Sequence, residues 1–297
     1  MEKIIESVPN FSIGKKAENA DIIVKAIKSV GDSIILADYS FDLDHGRLVV
    51  TIFGEGDNLI RALYEGVKAA IAKIDINEHD GIHPYIGVVD VIPIIPIKRA
   101  TFNDCVKIRN DLSLKIANDF NIPIYIYGKI AKRPERNKLS SIRKGGVKEL
   151  SKRMSLKEWK PDFGPSSLHP TAGAIAIGAR DILIAFNVNL KSGTKEDAVE
   201  IASKIREKNK GLKGVRAIGL FLESKKKPQV SVNIVDYKSS SIKKVFDTIK
   251  NAAEEKGIDI LESEIIGLIP KDAMFQNMIE YLKLKNWDES KVIENYL

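Results

Sequence analysis

Strand, helix, strand, strand, helix, strand: this order of hydrophobic periodicity is written twice along the chain, and it limits the fold more than any single motif does. Apolar residues first form an extended run from Ile4 to Val8, ended by Pro9-Asn10-Phe11-Ser12 and a turn at Gly14. They recur at helical spacing through Ile22, Ile23, Ala26 and Ile27, and return to extended runs at 33–39 and 47–54. An amphipathic helix over 58–73 (Ile60, Leu63, Val67, Ala70, Ile71) leads to the apolar run Val88 to Ile97. A helix over 101–119 and a strand at 122–127 lengthen this half. From 181 the order begins again, extended at 181–189, helical at 195–208, extended at 215–222 and 229–236, helical at 240–256 and extended at 260–267.

The βαββαβ order is that of the ferredoxin-like split unit. The expected fold class is therefore α/β (α+β), with two tandem ferredoxin-like subdomains spanning 1–178 and 179–297. A short strand is expected at 174–178, and a helix after Pro270, through Met274, Met278, Ile279 and Leu282, is expected to pack on the last sheet. Identity between the halves is too weak to establish a duplication. With 297 residues, 44% hydrophobic and 29% charged, both halves can bury real cores.

Lys and Arg exceed Asp and Glu by 47 to 40, giving +7, which suits phosphate or polycarboxylate partners and is compatible with nucleic acid. A lone cysteine, Cys105, leaves no intramolecular disulfide and no four-cysteine zinc site. Met1-Glu2-Lys3 runs into apolar residues without a signal-type segment, and no apolar span reaches the length of a membrane helix. A cytoplasmic protein with no membrane partner is expected.

Chemistry concentrates in His79-Asp80-Gly81-Ile82-His83-Pro84-Tyr85-Ile86-Gly87, which holds two of the four histidines. Imidazole is the side chain whose ordinary pKa suits proton transfer near neutrality. Gly81 and Pro84 disfavour a helix that would align His79 with His83, and no third Cys or His lies near, so no metal is expected. His79, Asp80 and His45 are lesser candidates for shaping the site. The segment 129–160 is dense in Lys and Arg and reads either as a solvated face or as the lining of an anion channel. The run Pro161 to Gly173 carries three prolines, two glycines and three hydroxyls, and reads as the wall of a ligand pocket or as a linker.

Five segments, in order, resemble the glutamate formimidoyltransferase family, which includes the N-terminal part of formimidoyltransferase-cyclodeaminase. They are Val8-Pro9-Asn10-Phe11-Ser12-x-Gly14, His79-x-Gly81-x-His83-Pro84-x-x-Gly87, Pro161 to Ser167, Ile184 to Leu190, and Gln229-Val230-Ser231-x-Asn233. The resemblance covers nearly the whole chain. It implies two ferredoxin-like subdomains with a ligand groove between them, a homodimer, and a role in one-carbon and histidine metabolism. It also implies transfer of a formimino group between N-formimino-L-glutamate and tetrahydrofolate, giving 5-formimino-tetrahydrofolate and glutamate.

In that family the catalytic histidine is the one before proline, here His83, which would act as proton shuttle. Tetrahydrofolate, a co-substrate that can be polyglutamylated, is implied to contact Phe163, Gly164, Pro165, Ser166, Ser167, Leu168, His169, Pro170, Thr171, Ala172 and Gly173, with Lys204, Ile205 and Arg206 as a second contact. Two positions depart from the family: Tyr85 stands where Arg is common, and Ser40 stands where a carboxylate is linked to the site, for which Asp42 or Asp44 could substitute. Three other functions stay open: formyl transfer involving 5-formyl-tetrahydrofolate and glutamate, a ferredoxin-like RNA-binding protein, and a scaffold or assembly protein. Mostly aliphatic strands at 215–222 and 229–236 argue against nucleic acid.

Overall fold

Pro9 interrupts what is otherwise one line of chain, β1 (Ile4–Ser7) followed by β2 (Asn10–Ser12). After α1 (Ala17–Lys28) come β3 (Ile35–Asp42), β4 (Arg47–Gly54), α2 (Gly56–Lys73) and β5 (Val89–Lys98). The β1–β2 line lies between β4 and β5, antiparallel to both, with Ser7 opposite Ile52 and Ile94, and β3 pairs with β4 on its outer side. The sequence pattern predicts a loop over 9–12, because three residues after a proline carry too short a pattern to distinguish. This computed structural model describes residues 3–129, 131–285 and 287–297.

The first unit extends beyond that split arrangement. Helix α3 (Phe102–Phe120) and strand β6 (Ile124–Gly128) follow β5, then two short helices, α4 (Leu139–Arg143) and α5 (Gly146–Arg153), and strand β7 (Ile175–Ala179). β7 inserts between β5 and β6, parallel to both, so the sheet has seven strands among the described residues. Thr101 and Asp104 form a reciprocal capping box that starts α3, and Asn121, in the left-handed region at φ 54°, stops it.

One face of this sheet packs on α1, α2 and α3 through residues such as Ile23, Ile27, Leu63, Val67, Leu112 and Ile116. The opposite face, with Val91, Tyr125, Ala174 and Ala176, packs on Ile142 of α4 and Leu150 of α5. Strand β5 is covered on both sides, which explains a continuous apolar run rather than an alternating one. Each Ile or Leu buried this way contributes about 1.5–3 kcal/mol.

The second unit runs β8 (Ile184–Leu190), α6 (Lys195–Ile205), β9 (Val215–Leu222), β10 (Lys227–Ile234), α7 (Ile242–Glu254) and β11 (Ile260–Ile266). Its sheet is antiparallel in the order β11-β8-β10-β9, with α6 and α7 on one face through Ile201, Ile205, Val245 and Ile249. The chain separates into compact units at Met1–Asp181 and Ile182–Leu297. The helix expected after Pro270 is a 3-10 turn at Lys271–Ala273 and a single helical turn, α8 (Met278–Tyr281), separated by Asn277 at φ 59°. Met278 and Leu282 still reach the core. The apolar spacing was right and the continuity was not, because a left-handed residue cannot continue a helix.

Candidate functional site

The histidine segment is held by its glycines. Gly81 lies so close to the 42–46 turn that a Cβ would fall 2.3 Å from the His45 carbonyl oxygen. That approach brings the His45 and His83 rings to 6.0 Å between centroids, while Asp42 Oδ1 accepts the His45 N–H at 2.7 Å. Asp42 thus closes this turn. At the other end Gly87 pairs with Gly173, and around them Val88 N–H donates to the Ala172 carbonyl at 2.9 Å and Ala174 N–H to the Ile86 carbonyl at 3.0 Å. Two motifs separated by more than seventy residues are stitched together by backbone.

His83 is half-buried, and its Nδ1 lies 2.9 Å from the carbonyl oxygen of Pro84. A carbonyl only accepts, so Nδ1 carries the proton and Nε2 of the neutral ring keeps its lone pair. Burial holds His83 well below the ordinary histidine range, helped by the Arg47 and Arg143 cations, so the neutral ring persists at neutral pH. The group that fixes the tautomer is this backbone carbonyl rather than a carboxylate.

Beneath it lies a buried ion cluster. Arg47 Nη2 donates to the same Pro84 oxygen at 3.2 Å and to Asp90 Oδ2 at 2.9 Å, while Nη1 donates to Asn10 Oδ1 at 2.9 Å. Asp90 is fully buried and also accepts from Arg143 through both Nε and Nη2 and from the Ile86 N–H at 3.1 Å. Burial, with Arg143 nearby, lowers the Arg47 pKa to about 9 against the opposing pull of Asp90, which leaves it charged at neutral pH. Two cations and one anion leave the cluster at net +1 behind the imidazole.

His79 is a supporting residue. Its Nδ1 accepts the Gly14 N–H at 3.1 Å, and its ring meets Tyr85 edge-on at 4.2 Å between centroids. Asp80 pairs with Lys15 at 3.3 Å.

A cavity of about 810 Å3 opens beside His83, walled by the histidine segment, α5 along its length and Leu168. Its size suits a small-molecule site. The other residues of the expected folate loop are distributed along its path. Phe163 and Gly164 lie against the start of β6, where the Phe163 carbonyl accepts the Ile124 N–H at 2.9 Å and a Cβ on Gly164 would fall 2.4 Å from the Ile122 oxygen. Ser166, Ser167 and Pro170 are exposed, and Pro165 and Thr171 partly so. His169 Nδ1 accepts the Ala172 N–H at 3.0 Å and the Thr171 N–H at 3.3 Å, while Ala172 and Gly173 make the bridge to the histidine segment.

In the second unit, Lys204 pairs with Glu255 at 2.7 Å and Ile205 is buried in the core. Arg206 ends α6, and its buried Nε finds no hydrogen-bond acceptor among the described residues.

Arg47, Asp90 and Arg143 are not among the residues that the sequence singles out for the site. Asp90 was the signal available, since an aspartate inside a run that reads as fully buried demands a cation. The basic segment itself divides by residue type. Arg136, fully buried, pairs with Asp162 at 2.6 Å, and Arg153 donates to the Ser141, Ile142 and Lys144 carbonyls, whereas Lys144, Lys148 and Lys152 are exposed. Planar guanidinium forks suit buried multidentate contacts, and strongly hydrated ammonium groups do not. Among the described residues no group of three or more His, Cys, Asp or Glu is arranged to hold a metal ion.

The chain matches two family models, "Formiminotransferase domain, N-terminal subdomain" over residues 4–180 and "Formiminotransferase domain" over 185–295. It is 39% identical to a glutamate formimidoyltransferase of Streptococcus pyogenes serotype M1, covering 100% of this chain and 99% of that one. A Thermoplasma acidophilum protein of the same description is 38% identical over 98% of this chain and 96% of its own length. The formimidoyltransferase-cyclodeaminase of Mus musculus is 37% identical over 92% of this chain, which corresponds to 51% of the mouse protein.

Proposed function

The chain belongs to the formiminotransferase family, and we propose that the cavity beside His83 is where it acts. It is a transferase that moves a formimino group between N-formimino-L-glutamate and tetrahydrofolate, giving 5-formimino-tetrahydrofolate and glutamate. His83 Nε2 takes the proton that leaves folate N5 as the bond from N5 to the formimino carbon forms. The same imidazolium then returns that proton to the glutamate nitrogen as the bond between carbon and that nitrogen breaks. One proton and one group change places, and the ring ends as it began.

The observation that carries this reading is the pairing of His83 Nδ1 with the Pro84 carbonyl, which fixes the tautomer with a basic Nε2 in a cavity wall. Depression of the His83 pKa fits a base that must be neutral before it accepts a proton. The net positive cluster behind it favours an anionic substrate.

Tetrahydrofolate enters the proposal along Phe163 to Gly173, supported by Leu168 in the cavity wall and by the exposed Ser166 and Ser167 hydroxyls. Lys204, Ile205 and Arg206 enter as further contacts, supported by the unsatisfied Nε of Arg206, a buried donor of the kind a ligand oxygen stabilises. The tandem ferredoxin-like description belongs to the same reading. It is supported by the wiring of β1, β3, β4 and β5, whose order β3-β4-β1-β5 repeats that of β9-β10-β8-β11. The family resemblance extends the proposal to a homodimer, a cytoplasmic location and acceptance of polyglutamylated folate.

Purified protein given N-formimino-L-glutamate and tetrahydrofolate should form 5-formimino-tetrahydrofolate, followed by its absorbance. Folate binding without that product, together with turnover of formylglutamate to 5-formyl-tetrahydrofolate, would replace the formimino donor by the formyl one.

A further inference from the structure

The cavity beside His83 is electrically one-sided. Lys148 and Lys152 both line it, four residues apart and hence on one face of α5, and no Asp or Glu is among the described residues of its wall. Lys152 pairs with Glu149 at 3.5 Å, an i,i+3 pair with both partners well exposed. Such a pair is weak and yields to a better placed anion. His83, Pro84 and Tyr85 line the same cavity, with the net positive Arg47–Asp90–Arg143 cluster beneath them. The glycines Gly145 and Gly146, both at positive φ, start α5 against the histidine segment, where the Cβ position of Gly146 is 3.6 Å from the Tyr85 carbonyl oxygen. A cavity lined by two exposed cations and a neutral base suits a ligand with negative charge at one end and a reacting nitrogen at the other.

We propose that Lys148 and Lys152 form the carboxylate subsite of this cavity and hold the two carboxylates of the glutamyl substrate while its formimino nitrogen lies toward His83. The assignment rests on the functional reading above. The chemistry recognised is that of an α,γ-dicarboxylate, which free N-formimino-L-glutamate presents and which the glutamyl tail of folate also presents. The free amino-acid substrate is favoured because the cavity wall that carries the lysines is the one that carries His83, and only Leu168 of the folate loop reaches it. Both lysines are exposed, so the ammonium groups reach a ligand without being desolvated first.

The test is a steady-state comparison of wild type with Lys148→Met/Lys152→Met and Lys148→Arg/Lys152→Arg, with folding checked by circular dichroism. The methionine pair should raise KM for N-formimino-L-glutamate about tenfold or more, the scale of losing charge-assisted hydrogen bonds to a carboxylate, and leave kcat within about twofold. The arginine pair should restore most of the affinity, and added salt should raise the wild-type KM more than that of the methionine pair. Monoglutamyl and triglutamyl tetrahydrofolate should keep their KM values. A rise in KM confined to the triglutamyl form would assign the lysines to the folate tail and overturn the proposal, as would no change for either substrate. Calorimetric titration with glutarate, an unreactive dicarboxylate, separates this claim from the reaction itself. Lysine-dependent glutarate binding by a protein that makes no formimino-folate would retain the subsite and reject the functional reading, whereas glutarate binding unaffected by the methionine pair would reject the subsite.

Discussion

Arg47 and His83 are joined through one atom, the Pro84 carbonyl oxygen, which takes a hydrogen bond from Arg47 Nη2 at 3.2 Å and from His83 Nδ1 at 2.9 Å. A carbonyl held by a guanidinium cannot swing away, so the imidazole keeps its tautomer and its direction. The same cation disfavours a second proton on the ring. Arg47→Met should therefore cost about 10- to 100-fold in kcat/KM, the range for loss of a group that orients a working imidazole. It should also move the acidic limb of the pH profile upward, because removing a cation makes imidazolium easier to form. Wild type should keep its activity to below the ordinary histidine pKa of about 6.5. Arg47→Lys should leave the limb near its wild-type position while lowering turnover; an unchanged profile in both variants would contradict the coupling.

Asp90 pairs with two guanidiniums from a fully buried position. Asp90→Asn leaves those cations unpaired and should destabilise the first unit by about 3–5 kcal/mol. Urea unfolding followed by fluorescence measures this, and a loss under about 1 kcal/mol would mean that the cluster is held by other contacts.

Glu6, on β1, is buried, and that burial pushes its pKa up to about 7 despite the attraction of Arg180. Between the ordinary carboxylate value and about 7 the folded protein holds a proton that the unfolded chain has released. The stabilisation is therefore present at low pH and is lost as pH rises through that window. Glu6→Gln should be more stable than wild type by roughly 3 kcal/mol at pH 8 and nearly equal to it at pH 4. A difference independent of pH would show that Glu6 is ionised in the folded state.

Gly87 and Gly173 hold the histidine segment to the 161–173 loop. A Cβ on Gly87 would fall 2.2 Å from the Ala174 oxygen, and one on Gly173, at φ 72°, would fall 2.5 Å from the Ile86 oxygen. Backbone oxygens cannot step aside as a side chain can. Gly173→Ala should cost about 1–3 kcal/mol of stability and lower activity more than Gly31→Ala, a positive-φ change with nothing within 4 Å.

Strands and helices were legible wherever apolar spacing ran for a whole element: α2, α3, β9 and β10 lie within a few residues of their expected bounds. Periodicity could not show that β7 would insert between β5 and β6, since strand order is set by packing between distant segments. It also could not show that β2 exists or that Asn277 breaks the last helix. His83 stood out because imidazole, proline and glycine together mark a turn with chemistry. Arg47 and Arg143 did not, because nothing local distinguishes an arginine that reaches a buried aspartate 43 or 53 residues away from one that reaches water. The lysines of α5 gained meaning only when the fold set them in the lining of the same cavity as His83.

The central claim is that His83 carries the transferred proton, and a single-turnover measurement tests it apart from product release. Enzyme in excess of tetrahydrofolate is mixed with saturating N-formimino-L-glutamate, and 5-formimino-tetrahydrofolate is followed in wild type and in folded His83→Ala. The predicted result is a rate lower by about 10²–10⁴ in the variant, with tetrahydrofolate affinity within about threefold of wild type. A variant that binds folate equally and forms product at the wild-type single-turnover rate would contradict it.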